Sequence, residues 1–548
     1  MLTQVNPFAR IMSLVKLERT DITAIYFHAI LNGLIQLSLP VGVQAIIGFV
    51  LGGAVSSSLI ILIALVVTGV LFGGLLQIGQ MRLIERVQQK LFVRHSFDLA
   101  ARIPKLDMKD ADAYYLPELM NRFFEVPTLQ KSLSKLLLDI PTASIQIVFG
   151  LLLLSFYHPA FILFGILLLV TLWMILYYTG NRGLSTSLTE SRYKYKVAAW
   201  LQEMSRLAKT FKFSKGSELN LERTDAFTAE YLKARNDHFG VLQFQFKILV
   251  AFKVLITASM LIVGAVLLVN QQLNIGQFIA AEIVILTVIN SVDKLIGNLD
   301  SVYDVLTSIT KIATITDKPI EKDGTYVMPF EAGGIKVETK GLSFGYEDKK
   351  ILNDLSLTFH PGQTICISGN EGTGKSTFLQ LLTGCYSTFQ GAILLNNLPV
   401  GNYDLTSLRS QMGILLPGQD IFNGSLWDNI SMGNAHVTQQ QVLGLFEKTG
   451  LLDFIATQKA GFETKMVTSG KRLSRNVLQK LLLVRALAGR PRLLLLEDPW
   501  LGMEQKFAEQ IKQYLLKEMP GTTVIVVSND ASFANQCDQQ IYLSLYKS

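Results

Sequence analysis

The sequence predicts two fold classes in tandem: an all-α membrane domain of six helices, then an α/β domain of the P-loop kind. Three observations carry the prediction. Mean hydropathy is +0.35, and 49% of the 548 residues are hydrophobic against 17% charged, too apolar a balance for a wholly soluble chain. Residues 22–80 contain no Lys, Arg, Asp or Glu, room for two bilayer crossings of about 20 apolar residues each. Gly369-Asn370-Glu371-Gly372-Thr373-Gly374-Lys375-Ser376-Thr377 fits G-x-x-x-x-G-K-[ST], between the strand-like Ile365-Cys366-Ile367 and a helical run from Phe378 to Leu382.

The first pair of spans is divided by a turn signal at Gly52-Gly53-Ala54-Val55-Ser56. A second pair, at about 136–157 and 159–180, breaks at Tyr157-His158-Pro159. A third, at about 248–269 and 274–297, breaks at Asn270-Gln271-Gln272-Leu273-Asn274. The three hairpin tips lack Lys, Arg, Asp and Glu, whereas the N-terminus and segments 81–135 and 181–247 are rich in Lys and Arg. The positive-inside rule therefore puts both termini and both long loops in the cytoplasm. Arg10, Lys16, Glu18, Arg19 and Asp21 precede the first apolar run, which is too long for a signal-peptide core, so no cleavage is expected.

Leu83 to Ile103 and Ser191 to Ala208 keep apolar residues three and four apart among charges, which predicts that the spans continue as amphipathic helices into the cytoplasm. Asp107 to Asp112 and Phe213 to Ser217 interrupt that period where the extensions would turn back. Asp139, Lys253 and Glu282 stand out as ionisable residues within the spans. The first two sit near cytoplasmic ends, where they snorkel or pair, while Glu282 is deeper and needs a polar cavity or an interhelical hydrogen bond. The expected division is a membrane domain over 1–300, a linker over 301–334 and a nucleotide-binding domain over 335–548.

The net charge of +7 invites a nucleic-acid reading. The basic residues flank membrane spans instead, and no aromatic–basic module accompanies them, so no nucleic acid is expected. The cysteines Cys366, Cys385 and Cys537 include no C-x-x-C pair and suggest neither a zinc site nor a disulfide framework.

In the α/β part, the loop glycines let successive backbone N–H groups turn inward toward an anion, at the positive end of the following helix. Lys375 reaches the outer phosphates of a nucleotide and Ser376 the Mg²⁺. Short apolar runs (Thr364 to Ile367, Leu493 to Leu496, Thr523 to Val527) alternate with helical stretches, as in a parallel sheet. Glu497 and Asp498 then stand at a strand end, one carboxylate for Mg²⁺ and the next for the attacking water.

Together these segments resemble a half-transporter of the ATP-binding cassette exporters, six spans followed by one cassette. Tyr346 in Ser343-Phe344-Gly345-Tyr346 resembles the aromatic that stacks on adenine. Ile421 to Ile430 looks like the family's L-F-x-G-T-I-x-x-N-I segment, and Val484-Arg485-Ala486-Leu487 with Pro491 like its L-A-R-A-L…P segment. Tyr115 to Val126 and Lys209 to Glu218 are similar to its two cytoplasmic coupling regions. The resemblance implies ATP and Mg²⁺, with Tyr346, Gly369 to Thr377 and Ser474 binding nucleotide, Ser376 and Glu497 holding the metal, and Asp498 and Asn529 serving catalysis. It also implies a second half-transporter, identical or not, and a multi-pass protein of the cell's inner membrane. The look is closest to type I protein secretion, which would add a periplasmic adaptor and an outer-membrane channel; small-molecule, lipid or peptide export competes with it.

Several positions depart from the family pattern. Leu473-Ser474-Arg475-Asn476-Val477 replaces L-S-G-G-Q, Glu497-Asp498 inverts the usual Asp-Glu, and Asn529 replaces the switch histidine. Pro417 takes the usual glutamine's place, with Gln419 two positions on, and Thr468 replaces a Glu. Nucleotide binding is therefore expected with weak or partner-dependent hydrolysis. The alternative is a non-hydrolysing regulatory or scaffolding membrane subunit.

Overall fold

Inside a bilayer the backbone has only itself to bond, so long apolar runs without breakers become long helices. The computed structural model describes residues 7–53, 57–111, 115–214, 218–346, 349–467 and 473–544. Its contacts divide the chain into two compact units, residues 1–104 with 115–318, and 105–114 with 319–548.

In the first unit a short helix, Pro7–Leu17, precedes six spans. These are Arg19–Leu51, Ser57–Arg102, Glu125–Tyr157, Ala160–Arg206, Leu219–Val269 and Ile275–Gly297. The fifth has 51 residues, about 77 Å at 1.5 Å per residue and more than twice the ~30 Å hydrocarbon layer. The cytoplasmic extensions read from Leu83 to Ile103 and from Ser191 onward are thus continuous helix, ending at Arg102 and Arg206. The sixth span breaks only at Asn298 and resumes as Leu299–Thr316. That helix occupies half of the expected linker, and its buried face, Val305, Leu306, Ile309 and Ile312, keeps it in the membrane unit. The division therefore falls near 318 rather than at 300 and 334.

Several of the spans' polar side chains bond to one another. Asp139 accepts from Asn298 Nδ2 at 3.0 Å. Lys253 pairs with Asp293, an acid of the sixth span that the sequence reading passed over. Gln146 of the third span donates to Gln36 of the first and accepts from Ser291 Oγ of the sixth at 2.7 Å. Such bonds fix helix register where lipid offers no hydrophobic contrast.

The second unit is written in strands: β1 Val337–Tyr346, β2 Lys349–Phe359, β3 Thr364–Gly369, β4 Gln390–Leu395, β5 Leu398–Pro399, β6 Met412–Leu415, β7 Gly424–Ser425, β8 Lys465–Met466, β9 Leu493–Glu497, β10 Thr523–Val527 and β11 Gln539–Leu543. One sheet has the order β11-β3-β10-β9-β6 with all neighbours parallel. The continuous apolar runs of β3, β9 and β10 are buried because helices cover both faces of such a sheet. A second, antiparallel sheet runs β2-β1-β4-β5.

Candidate nucleotide-binding site

In a parallel sheet the loops leaving the carboxyl ends of adjacent strands meet in one crevice. Here β3, β10 and β9 are neighbours, with Ile367 opposite Val527 and Val527 opposite Glu497. The phosphate-type loop leaves β3, Glu497-Asp498 ends β9 and Ser528-Asn529 follows β10. Residues up to 158 positions apart in sequence thereby line one cleft of about 400 Å³, formed by Glu371 to Thr377 with Glu497, Asp498, Ser528 and Asn529.

The loop's shape requires its glycines. Gly369 has φ +148° and Gly374 φ +87°; a Cβ at the first would lie 2.2 Å from Leu543 O and at the second 2.7 Å from Leu352 Cδ2. Gly374 precedes the helix Lys375–Leu382, whose N-terminal end faces the cleft. The loop curls about its own lysine: Lys375 Nζ donates to Gly369 O at 2.8 Å and to Asn370 O at 2.7 Å. Thr373 Oγ1 donates to Asn370 O at 2.9 Å and closes the turn.

Ser376 Oγ donates to Glu497 Oε1 at 2.6 Å, while Glu497 Oε2 is buried without a partner among the described residues. A hydroxyl and an orphaned carboxylate oxygen side by side form a hard, oxygen-only donor set, which fits Mg²⁺. Among the described residues no cluster of three or more His, Cys, Asp or Glu could hold a metal.

Burial pushes the Glu497 carboxyl above its ordinary range, and the Ser376 bond opposes the shift. Burial also raises Asp498, with Lys375 opposing. Asp498 occupies a left-handed backbone conformation, φ +40°, held by its N–H donating to Val527 O at 2.9 Å. Strain of that kind in a non-glycine residue persists only where the surroundings fix it.

Asn529 Oδ1 accepts from Gly369 N–H at 3.1 Å, so this side chain is tied to the start of the loop. The next residue anchors the turn. Burial opposes the charge of Asp530, but Lys512, Ser532 and the Phe533 N–H outweigh it and hold the carboxyl at about 2. Lys512 and Asp530 went unnoticed in the sequence; the N-cap pattern Asp530-Ala531-Ser532-Phe533 was the available signal.

Other predicted site residues lie apart from the cleft. Tyr346 is half-buried, its ring edge-on to Phe344 at 5.1 Å and its hydroxyl 3.1 Å from that of Tyr386, and it does not line the cleft. Ser474 caps the helix Arg475–Leu487 by accepting from Val477 N at 3.2 Å, and it too is absent from the lining. Gln419 turns back to accept from Leu416 N at 3.3 Å. Thr468 lies outside the described residues. In the segment Ile421 to Ile430, Asn429 braces the loop through Phe422 N and O, both at 2.9 Å, and Arg485 Nε donates to Asn429 O at 2.6 Å.

Two family models match the chain: the ABC transporter transmembrane region over residues 22–292 and the ABC transporter over 352–500. The chain belongs to the ABC transporter family. It carries a membrane region and a cassette, the composition of a half-transporter. Segments of the half-transporter are 32% identical over 229 residues to an "ATP-dependent lipid A-core flippase" of Hahella chejuensis, covering 41% of this chain and 39% of that one. Over 274 residues it is 30% identical to the "Exotoxin translocation ATP-binding protein PaxB" of Pasteurella aerogenes, covering 50% and 38%. The matched region thus spans about two fifths of these relatives' length. The solved structure of a bacterial Atm1-family ABC exporter with ATP bound superimposes with a TM-score of 0.83 at 20% identity, over 96% of this chain and 94% of that one. At that identity the likeness speaks for the fold.

Proposed function

We propose that this half-transporter binds ATP with Mg²⁺ between Gly369 and Thr377 and, as one half of a dimer, exports cargo across the inner membrane. The observation that carries the reading is the single cleft shared by Lys375, Ser376, Glu497, Asp498 and Asn529. The loop N–H groups and Lys375 bind the phosphates. Ser376 and Glu497 would hold Mg²⁺, which when bound supplies charge neutralisation between the phosphates. Asp498 orients water, and Asn529 donates a neutral hydrogen bond. Both termini and the cassette are cytoplasmic.

A dimer completes the site, because Ser474 lies away from the cleft of its own chain and a second cassette is needed to bring such a turn against the nucleotide. Hydrolysis is slow or dependent on the partner. Asp498 is one methylene shorter than Glu, and a misplacement of about 1 Å can cost on the order of a hundredfold. Arg475 and Asn476 put side chains where bare backbone would approach a phosphate closely. Protein or peptide secretion is one cargo class for this reading. That cargo class would add a periplasmic adaptor and an outer-membrane channel as partners.

The same departures favour a second reading, a nucleotide-binding subunit that regulates or scaffolds a partner without hydrolysis. Purified protein in lipid, assayed for ATP binding and turnover with and without a co-purifying half-transporter, separates the two. Turnover in either condition, abolished by Lys375→Ala, supports export. Stoichiometric binding with no turnover in both supports the regulatory reading.

A further inference from the structure

The sixth span carries a carboxylate that no described residue of its own chain neutralises. Glu282 lies eight positions after the helix cap Asn274, about 12 Å along the helix from the outer turn at 1.5 Å per residue. It is half-buried, and among the described residues no hydrogen bond or ion pair reaches it. Asp139 and Lys253, by contrast, have Asn298 and Asp293.

The side of the helix that bears Glu282 is only partly covered by the described residues. Ala280, Ala281, Val284, Ile285 and Val288 are buried on the opposite side. Glu282, Leu286, Asn290 and Lys294 recur every four residues along the free side, where Leu286 is 50% exposed and Asn290 and Lys294 are exposed too. A carboxylate, an amide and an ammonium on one ridge do not face lipid, because a charge held against hydrocarbon is costly; such groups line a water-filled path. One turn outward, the ring of Phe278 lies over Gly264 of the fifth span, where a Cβ would come within 2.5 Å of it. Four positions before Glu282 on the same helix, Phe278 belongs to the same ridge.

A lone carboxylate can only accept hydrogen bonds and favours a positive charge, an aromatic ring offers a cation–π contact, and Leu286 offers apolar area. Resting on the export reading above, we propose that Glu282 is a cargo-binding site for an amphipathic organic cation, an ammonium or guanidinium carried on an apolar body. Asn290 and Lys294, further in, leave Glu282 as the ridge's only anion apart from Asp293, which Lys253 already engages.

The test uses the full chain in lipid nanodiscs without ATP, with rhodamine 6G as the cationic probe and an uncharged dye of similar size as control. Glu282→Gln is expected to weaken rhodamine 6G binding by about tenfold or more, as for loss of a charge-assisted hydrogen bond. Neutral-dye binding stays unchanged, and Glu282→Asp stays within about threefold of the native chain. Unchanged rhodamine binding in Glu282→Gln overturns the proposal, as does equal loss for both dyes. A second measurement uses Glu282→Cys in a background with Cys366, Cys385 and Cys537 replaced by Ser. High-yield disulfide crosslinking between two copies overturns the proposal by assigning the ridge to a second copy, whereas labelling by a water-soluble cationic thiosulfonate that rhodamine 6G protects against supports it. Because neither readout involves ATP, an inactive ATPase leaves this test standing, and normal turnover without cation binding sinks only the site.

Discussion

Glu497 shows how one side chain sets the conditions under which the cleft can work. Its Oε1 is bonded to Ser376 while Oε2 is buried without a partner among the described residues, an acceptor that a cation would satisfy. Burial raises this carboxyl above 4.5, and a raised acid holds its proton longer as pH climbs. A metal needs the ionised form, so the gain in ATP affinity on adding Mg²⁺ is expected to grow as pH rises through the lifted range. It should then level off. Calorimetric titration of ATP with and without Mg²⁺ between about pH 5 and 8 checks this, and Glu497→Gln should flatten the increment while sparing metal-free binding. Asp530 runs the other way. Its folded value of about 2 lies below the ordinary 3.8, so its contribution to cassette stability is complete above pH 3.8 and is lost as pH falls toward 2. Lys512→Ala is expected to shrink that acid-limb dependence, with Ser532 and the Phe533 N–H retaining the rest, read as thermal unfolding against pH.

At the scale of elements, the loop and the helix Arg475–Leu487 decide binding and turnover separately. Gly374 combines φ +87° with a Cβ position 2.7 Å from Leu352 and 2.8 Å from Ile351. Gly374→Val should abolish ATP binding and cost the cassette roughly 1–3 kcal/mol, measured by denaturant unfolding. Arg475→Gly with Asn476→Gly removes two side chains from the first turn after Ser474. If those side chains hold the site back, ATP turnover rises several-fold at unchanged affinity. Buried strands and the loop were legible because their signals are local: β3, β9 and β10 are unbroken apolar runs, and G-x-x-x-x-G-K-S has a fixed spacing. The cleft's composition was legible only through the resemblance, since nothing local says that Asn529 meets Gly369 across 160 positions. Asp293 escaped notice because it stands beside Lys294 at a span's end, where charge is ordinary; its pairing with Lys253 is a property of two helices. The end of the membrane unit was misplaced for a similar reason, as Leu299–Thr316 is too polar to read as a span but amphipathic enough to pack.

For the molecule as a whole, the telling segment is the one that leaves the membrane helices and folds with the cassette. Just before Tyr115 to Val126, the segment that resembles the family's first coupling region, residues 105–111 join the cassette's compact unit. Backbone bonds seize this segment from two sides: Glu321 N–H donates to Lys105 O at 2.8 Å, and Met108 N–H donates to Cys385 O at 3.2 Å. Asp107, only 4% exposed, ties the two together by accepting from Ser387 Oγ and from Ser387 N at 3.3 Å. A buried carboxylate with these donors loses them all on truncation, at a cost of roughly 1–3 kcal/mol. None of these residues lines the nucleotide cleft, so Asp107→Ala should bind ATP within about threefold of the native chain. Because the segment continues directly from the second span, however, the substitution loosens the cassette's hold on that helix. The expected result is loss of the ATP-dependent change in the membrane helices, followed by the distance between spin labels placed on two spans in lipid, with nucleotide affinity retained. An ATP-dependent distance change of native size in Asp107→Ala would show that movement passes from cassette to membrane by another route.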